Sequence, residues 1–297
     1  MAGGQDNNGS GRYVFYHYHP SLPAAAVFVV LFGISTLLHI WQSFSKRAWF
    51  MIPFIIGGLF ETTGYVGRIL SSHDQWDLGP FIMQTLLLLV APALFAASIY
   101  MVLGRIIHLT DGEPYSLIRR TWLTKIFVGG DVLSFLAQSA GGGLMSSGND
   151  DPDEVKLGEH VILAGLLIQI LFFGLFVVAA LVFQLRGRSH LHKVMVPWKK
   201  YLIMLYITSA FILVRSIFRV VEYIQGNDGF LLRHEVFIYV FDAALMLGVM
   251  VIMNLIHPGD IATLLKEKDD RGSVIQMDRP ITEDRAKAYG GQQQPYV

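Results

Sequence analysis

The sequence predicts an all-α fold: a bundle of seven transmembrane helices with the N-terminus outside and the C-terminus cytoplasmic. Three observations predict it. Seven apolar runs each approach or exceed the roughly 20 residues that cross the hydrocarbon layer. Of 297 residues, 53% are hydrophobic and only 15% charged, against about 25% charged in an ordinary soluble domain. Lys and Arg also alternate unevenly between successive loops, as they do in polytopic membrane proteins.

Length places the spans near 22–44, 49–70, 80–104, 122–145, 160–185, 199–224 and 235–256. Residues 1–21 read as an extracellular polar tail. They lack the apolar stretch of a cleavable signal, so the first span is expected to act as the targeting segment. The second span carries Gly57-Gly58 and the charged pair Glu61 and Arg68. The third holds Gln84 and is interrupted by Pro92, which frees backbone carbonyls and kinks the helix. Gly129-Gly130 and Gly141-Gly142-Gly143 bracket the fourth, where they allow close helix contact or a flexible end. The fifth is read by length alone. The sixth contains Arg215, Arg219 and Glu222, and the seventh contains Glu235, Tyr239 and Asp242. Residues 258–297 are expected to form a cytoplasmic, mostly disordered tail. Its first stretch, Asp260 to Lys268, suits a short helix on the membrane surface.

Orientation follows from the loops. One set holds Lys46, Arg47, Arg105, Arg119, Arg120, Arg186, Arg188, Lys193, Lys199 and Lys200, ten in all; the other holds Arg12, Lys156 and Arg233, three. The basic set marks the cytoplasmic side. The acidic loop Asp150, Asp151, Asp153, Glu154 then falls outside, as does Asn8, which opens the glycosylation sequon Asn8-Gly9-Ser10.

Several function classes are excluded or disfavoured. The chain has no Cys, so disulfides, thiol catalysis and Cys-ligated zinc are impossible. A net charge of zero gives no sign of a nucleic-acid partner. No G-x-x-x-x-G-K-[ST] loop is present, so ATP hydrolysis is not expected. The H-E-x-x-H and G-x-S-x-G patterns are missing as well, and no enzyme activity or cofactor is expected. His17-x-His19 and His190-x-His192 lack a third ligand nearby and read as solvated loop histidines. The seventh span has no Lys for a retinal Schiff base. Receptor landmarks are absent too: the third span ends Leu103-Gly104-Arg105, and the seventh ends Met253-Asn254-Leu255-Ile256-His257-Pro258 without N-P-x-x-Y.

The buried charges are the informative part. A charge at membrane depth costs about 3 kcal/mol or more unless it is paired or faces water. Glu61 and Arg68 are seven residues apart, as are Asp131 and Gln138; Arg215, Arg219 and Glu222 repeat at i, i+4, i+7, and so do Glu235, Tyr239 and Asp242. Each set shares one helix face, which must turn inward. With Gln84 they reach a similar depth, which predicts a polar cavity in the outer half of the bundle, floored by Glu61 and Asp131. Two readings stand. These residues line a substrate route, or they form structural clasps such as Arg215 with Asp242, Arg68 with Glu61, or Arg219 with Glu222.

At these residues the chain resembles the fungal lipid-translocating exporters, the RTA-like seven-helix family. The resemblance rests on Glu61-Thr-Thr-Gly64-Tyr65-Val-Gly67-Arg68, on Gln84 and the segment from Leu89 through Pro92 and Ser98 to Tyr100, and on Leu103-Gly104-Arg105. It continues through Phe127 to Asp131, Ser134-Phe135, Gln138, Gly141 to Gly143, Arg215 to Arg219, Glu222-Tyr223 and Gly226. It ends with His234-Glu235, Tyr239, Asp242 and His257-Pro258. The family implies an integral plasma-membrane or endomembrane protein. It also implies export of amphiphilic lipids such as sphingoid long-chain bases, resistance to amphiphilic toxins, or, in one branch, porphyrin uptake. The partners are then membrane lipids or amphiphilic small molecules. Glu61, Asp131, Glu222, Glu235 and Asp242 outnumber Arg68, Arg215 and Arg219, so a cationic head group suits the expected site. A seven-helix lipid sensor is the alternative.

The tail assignment is directly testable. In a eukaryotic host, glycosidase treatment is expected to increase the gel mobility of the protein. Asn8→Gln should abolish that change; an untreated protein already lacking glycan would place the tail on the other side or leave the sequon unused.

Overall fold

The computed structural model describes residues 22–73, 78–147, 152–194, 196–225 and 235–277. The described residues form helices joined by short turns, with no strand among them. The main elements are α1 (Leu22–Ser45), α2 (Ile52–His73), α3 (Leu78–Leu109), α4 (Arg120–Ser147), α5 (Pro152–Arg186) and α6 (Trp198–Gln225). Next comes α7, assembled from Glu235–Ile238, a π-helical segment Tyr239–Ala244, and Leu245–Leu255; last is α8 (Gly259–Met277).

Consecutive helices pack side by side from α1 to α7, and α7 returns to pack on α1. Inside this ring α3 also meets α6. Its central place shows in burial: 61% of the apolar window of α3 is buried, against 28% for α1. The ring's outer face is apolar, with Val30, Leu37, Leu133, Leu171, Ile203 and Leu255 exposed, as a surface facing lipid requires.

Among the described residues, six helices are long and apolar enough to cross a membrane: α1, α2 with the turn before it, α3, α5, α6, and α7 continued into α8. The expected fourth span does form a 28-residue helix. Its composition falls short of the other six, because it carries Arg120, Lys125 and Asp131 among many glycines and serines. What holds α4 is close contact with α5. A Cβ on Gly141 would lie 2.6 Å from the Gly158 carbonyl, and one on Gly165 would lie 2.9 Å from the Ser134 carbonyl. Backbones approach this closely only where small residues meet.

Helix ends differ from the expected ones for local reasons. Pro152 opens α5 with Asp153 and Glu154 in its first turn, so part of the expected acidic loop is helix. Proline suits that position and carboxylates suit a helix N-terminus. Helix α3 runs five residues beyond the expected 104, to a cap in which the Gly112 N–H donates to the Ile107 carbonyl and the Asp111 N–H to the His108 carbonyl. Asp111 takes the left-handed conformation there (φ 50), the place usually given to glycine.

The segment after 257 begins as a longer helix than the 260–268 stretch expected. Ile261 and Leu265 of α8 are buried in the same core as the bundle. Lys46 pairs with Asp260 at 2.5 Å and Lys268 with Asp111 at 2.6 Å. Apolar contact and two ion pairs thus seat α8 against the ends of α1 and α3. Gly165→Val is expected to pry α4 from α5 and to destabilise the protein by about 1–3 kcal/mol. Thermal unfolding in detergent checks this, and an unchanged midpoint would show the seam is not tightly packed.

Candidate functional site: two buried polar groups

The first group is built around a proline. Pro92 has no N–H, so the carbonyl of Leu88, four residues back on α3, has no helical donor. Arg215 of α6 supplies one: its Nη2 donates to the Leu88 carbonyl at 2.9 Å. The Nε side of the same guanidinium forms an ion pair with Asp242 Oδ1 of α7, both side chains being 5% exposed. Asp242 lies in the π-helical segment. Such wide turns arise often at functional sites and shift which side chains face inward. One buried arginine therefore ties α3, α6 and α7 together.

The neighbours extend this knot. Arg219 Nη1 donates to Glu222 Oε2 at 2.8 Å within α6. Glu61 of α2 is 2% exposed and lies within electrostatic reach of Asp242, Arg215 and Arg219. Its Oε1 has no hydrogen-bond partner among the described residues. Gly57 and Gly64 flank Glu61 and let α2 close on α3. A Cβ at either place would come within 2.8 Å of the Phe95 ring or 2.7 Å of the Leu88 side chain. Arg68 Nε donates to the Tyr239 hydroxyl at 3.1 Å, and its guanidinium lies 5.2 Å from the Tyr239 ring centroid. Tyr239 stacks on Phe28 at 5.4 Å, and Tyr65 stacks on Phe32 at 5.5 Å. Glu61 thus has an aromatic wall one helical turn away, at Tyr65.

The second group lies between α3, α4 and α5. The Tyr100 hydroxyl donates to Asp131 Oδ2 at 2.9 Å, while Oδ1 has no partner among the described residues. Tyr100 in turn packs against Phe127, Phe173 and Phe176. Ser134 Oγ donates to the Gly165 carbonyl at 2.7 Å, and Gln138 Nε2 donates to Ser134 Oγ at 2.7 Å.

The single cavity expected from the sequence is therefore two closed groups. Helix α4 spends its polar stripe on α5 and α3, where the glycine seam draws it, so Asp131 and Gln138 do not join Arg215. Of the expected clasps, Arg215 with Asp242 and Arg219 with Glu222 are present. Gln84 is buried on α3, one turn before Leu88. The Glu235 side chain and Asn8 lie outside the described residues. Among the described side chains, Glu61, Glu222 and Asp242 stand against Arg68, Arg215 and Arg219 in the first group, while Asp131 lies in the second. Two partners escaped sequence reasoning: Tyr100, one aromatic among many, and the Leu88 carbonyl. Pro92 carried the signal for the second, because the freed carbonyl of a transmembrane proline lies four residues earlier.

Apolar membrane-length helices with ionised groups locked between them define a polytopic integral membrane protein. The family pattern described as "RTA1 like protein" matches residues 54–264. Protoporphyrin uptake protein 1 of Saccharomyces cerevisiae is 37% identical over 294 residues, covering 86% of this chain and 96% of its own. Protein RTA1 of the same yeast is 38% identical over 274 residues, covering 83% and 85%. The sphingoid long-chain base transporter RSB1 of S. cerevisiae is 26% identical over 276 residues, covering 81% and 72%. No solved structure matches. The chain belongs to the RTA1-like family, whose matched region contains both polar groups.

Removing one partner of a buried pair leaves an unpaired charge, which costs about 3–5 kcal/mol, whereas replacing both with apolar residues is often neutral. Arg215→Ala is therefore expected to lower the unfolding midpoint far more than the double change Arg215→Met/Asp242→Leu. Equal losses would mean that leaving Asp242 without its arginine carries no penalty beyond the loss of the pair itself.

Proposed function

We propose that this protein moves amphiphiles with a cationic head group, such as sphingoid long-chain bases, between membrane leaflets without hydrolysing ATP. In this reading the bundle has seven spanning helices, α4 among them because α5 shelters its polar face. The N-terminus is outside and the C-terminus cytoplasmic, as the ten-to-three distribution of basic loop residues favours. The plasma membrane is the proposed location, and no catalytic step is assigned to the chain.

The observation that carries the reading is Glu61. Asp242 and Glu222 are each engaged by an arginine, whereas Glu61 Oε1 is buried without a hydrogen-bond partner among the described residues. Tyr65, one helical turn along α2 and within electrostatic reach of Glu61, stacks with Phe28 and Phe32, and Phe28 stacks with Tyr239. A carboxylate next to aromatic faces suits an ammonium head group, which gains both charge pairing and cation–π attraction. The apolar tail would remain in lipid or between helices. Arg215 and Asp242 then act as a gate, closed when they pair with each other. Similarity to a sphingoid long-chain base transporter supports the substrate class.

A second reading, a lipid sensor, is favoured by the closure of the site, since Arg215 and Asp242 are each only 4% exposed. Purified protein in liposomes carrying a fluorescent long-chain base separates the two. Protein-dependent leaflet exchange is expected, and Glu61→Gln should reduce it at least tenfold while leaving thermal unfolding unchanged. Full exchange in Glu61→Gln would discard the head-group role. Saturable binding without exchange in the unaltered protein would favour the sensor.

A further inference from the structure

In the half of the bundle nearer α8, the seam between α1 and α7 is lined with neutral polar groups. Ser35, His39, Gln42 and Ser43 share one face of α1 by their i, i+4, i+7, i+8 spacing. Opposite them stand Met250, Asn254 and His257. Side-chain hydrogen bonds cross the seam four times. His39 Nε2 bonds the Met250 carbonyl at 3.1 Å, Gln42 Nε2 donates to the Asn254 carbonyl at 3.1 Å, and Asn254 Nδ2 donates to Ser35 Oγ at 2.7 Å and to the Ser35 carbonyl at 3.3 Å. Five further buried polar atoms on the same seam have no hydrogen-bond partner among the described residues: His39 Nδ1, Gln42 Oε1, Ser43 Oγ, Asn254 Oδ1 and His257 Nε2. Buried polar atoms are nearly always satisfied, by protein or by an ordered water.

The partners of the two histidines fix their tautomers. A carbonyl only accepts, so His39 Nε2 carries the hydrogen and Nδ1 is a bare acceptor. His257 Nδ1 accepts the backbone N–H of Gly259 at 3.0 Å, so in the neutral ring Nε2 carries the hydrogen. His39 thus presents a buried acceptor and His257 a buried donor, and the ring centroids are 5.8 Å apart. The rings are 0% and 2% exposed.

We propose that His39 and His257 form a hydrated proton-binding site on the α1–α7 seam, with a water held between His257 Nε2–H and His39 Nδ1. The proton enters from the end of the bundle at which α8 docks and is received at His39 Nδ1. That nitrogen gives up no bond to accept it, whereas protonating His257 Nδ1 would break the bond from the Gly259 N–H. The water then accepts from both rings. Its own hydrogens can turn to Gln42 Oε1, Ser43 Oγ or Asn254 Oδ1. The charges facing His257 are Lys46 at the end of α1 and Asp260 on α8, which close on each other at 2.5 Å; the Tyr201 phenol of α6 faces Asp260. From α2 the neighbour of His39 is the edge of the Phe54 ring, centroid at 4.7 Å. The site stands apart from the head-group reading; if both hold, it supplies an ion to drive the movement.

The test is nitrogen NMR of 15N-histidine-labelled full-length protein in lipid nanodiscs, the two rings being assigned by His39→Gln and His257→Gln. Both rings are expected as the Nε2–H tautomer at high pH, with magnetisation transfer from water. His257→Gln is expected to move the His39 titration midpoint by at least about 1 unit, because interacting groups titrate as a pair. Lys46→Met serves as a second probe that touches neither ring. Removing the cation that faces His257 should raise the midpoints of the coupled pair, and it replaces His257→Gln if that variant does not fold. A His39 ring without water transfer, or a midpoint unmoved by either folded variant, would overturn the proposal. The liposome assay keeps the two ideas separate. Exchange with no histidine titration discards the proton site alone; histidine titration with no exchange discards the transport reading alone.

Discussion

The closed inner architecture depends on how one arginine is satisfied inside a membrane. Arg215 needs a counter-charge and acceptors where there is no water to supply them. Asp242 supplies the charge and the Leu88 carbonyl supplies an acceptor. That carbonyl is available because Pro92 withholds the helical donor it would otherwise have. A proline that would only weaken an isolated helix is here half of a contact between helices. Because the contact spans α3, α6 and α7, it also sets the depth at which these helices register with one another.

Glycine does the complementary work. Gly57 and Gly64 bring α2 onto α3 on either side of Glu61, so the carboxylate is carried into the charged group without a partner of its own at Oε1. Gly141, Gly158 and Gly165 bring α4 onto α5 and turn Asp131 towards Tyr100. The same device thus separates the two acids that sequence spacing had placed at the floor of one cavity. Small residues decide which helices touch, and that decides which polar groups meet.

The two halves of the bundle handle polarity differently. Towards the start of α7, Arg215 pairs with Asp242, Arg219 with Glu222, and Arg68 lies over the Tyr239 ring. Towards α8, neutral side chains bond to backbone carbonyls across the α1–α7 seam and leave acceptors and donors over. Ion pairs are costly to open and suit a gate. Neutral groups that a water can bridge reorganise cheaply, which suits the passage of a proton.

Sequence alone determined the helical membrane class, because apolar run length and scarce charge are imposed by the thickness and polarity of the bilayer and need no knowledge of packing. It also determined which residues turn inward: helical spacing places Arg215, Arg219 and Glu222 on one face whatever that face meets. Pro92 was legible as a source of free carbonyls, and family membership was legible in the strings around Glu61, Pro92 and Arg215. Partner choice was decided by the tertiary structure. That Asp131 faces Tyr100 and that Arg215 takes Asp242 with the Leu88 carbonyl follow from helix neighbours and their rotation. The α1–α7 seam was not legible for the same reason: Ser35, His39, Gln42 and Ser43 share a face of α1, but nothing in their spacing names Asn254 and His257 as what that face meets. They become a group only because the ring of helices closes α7 onto α1.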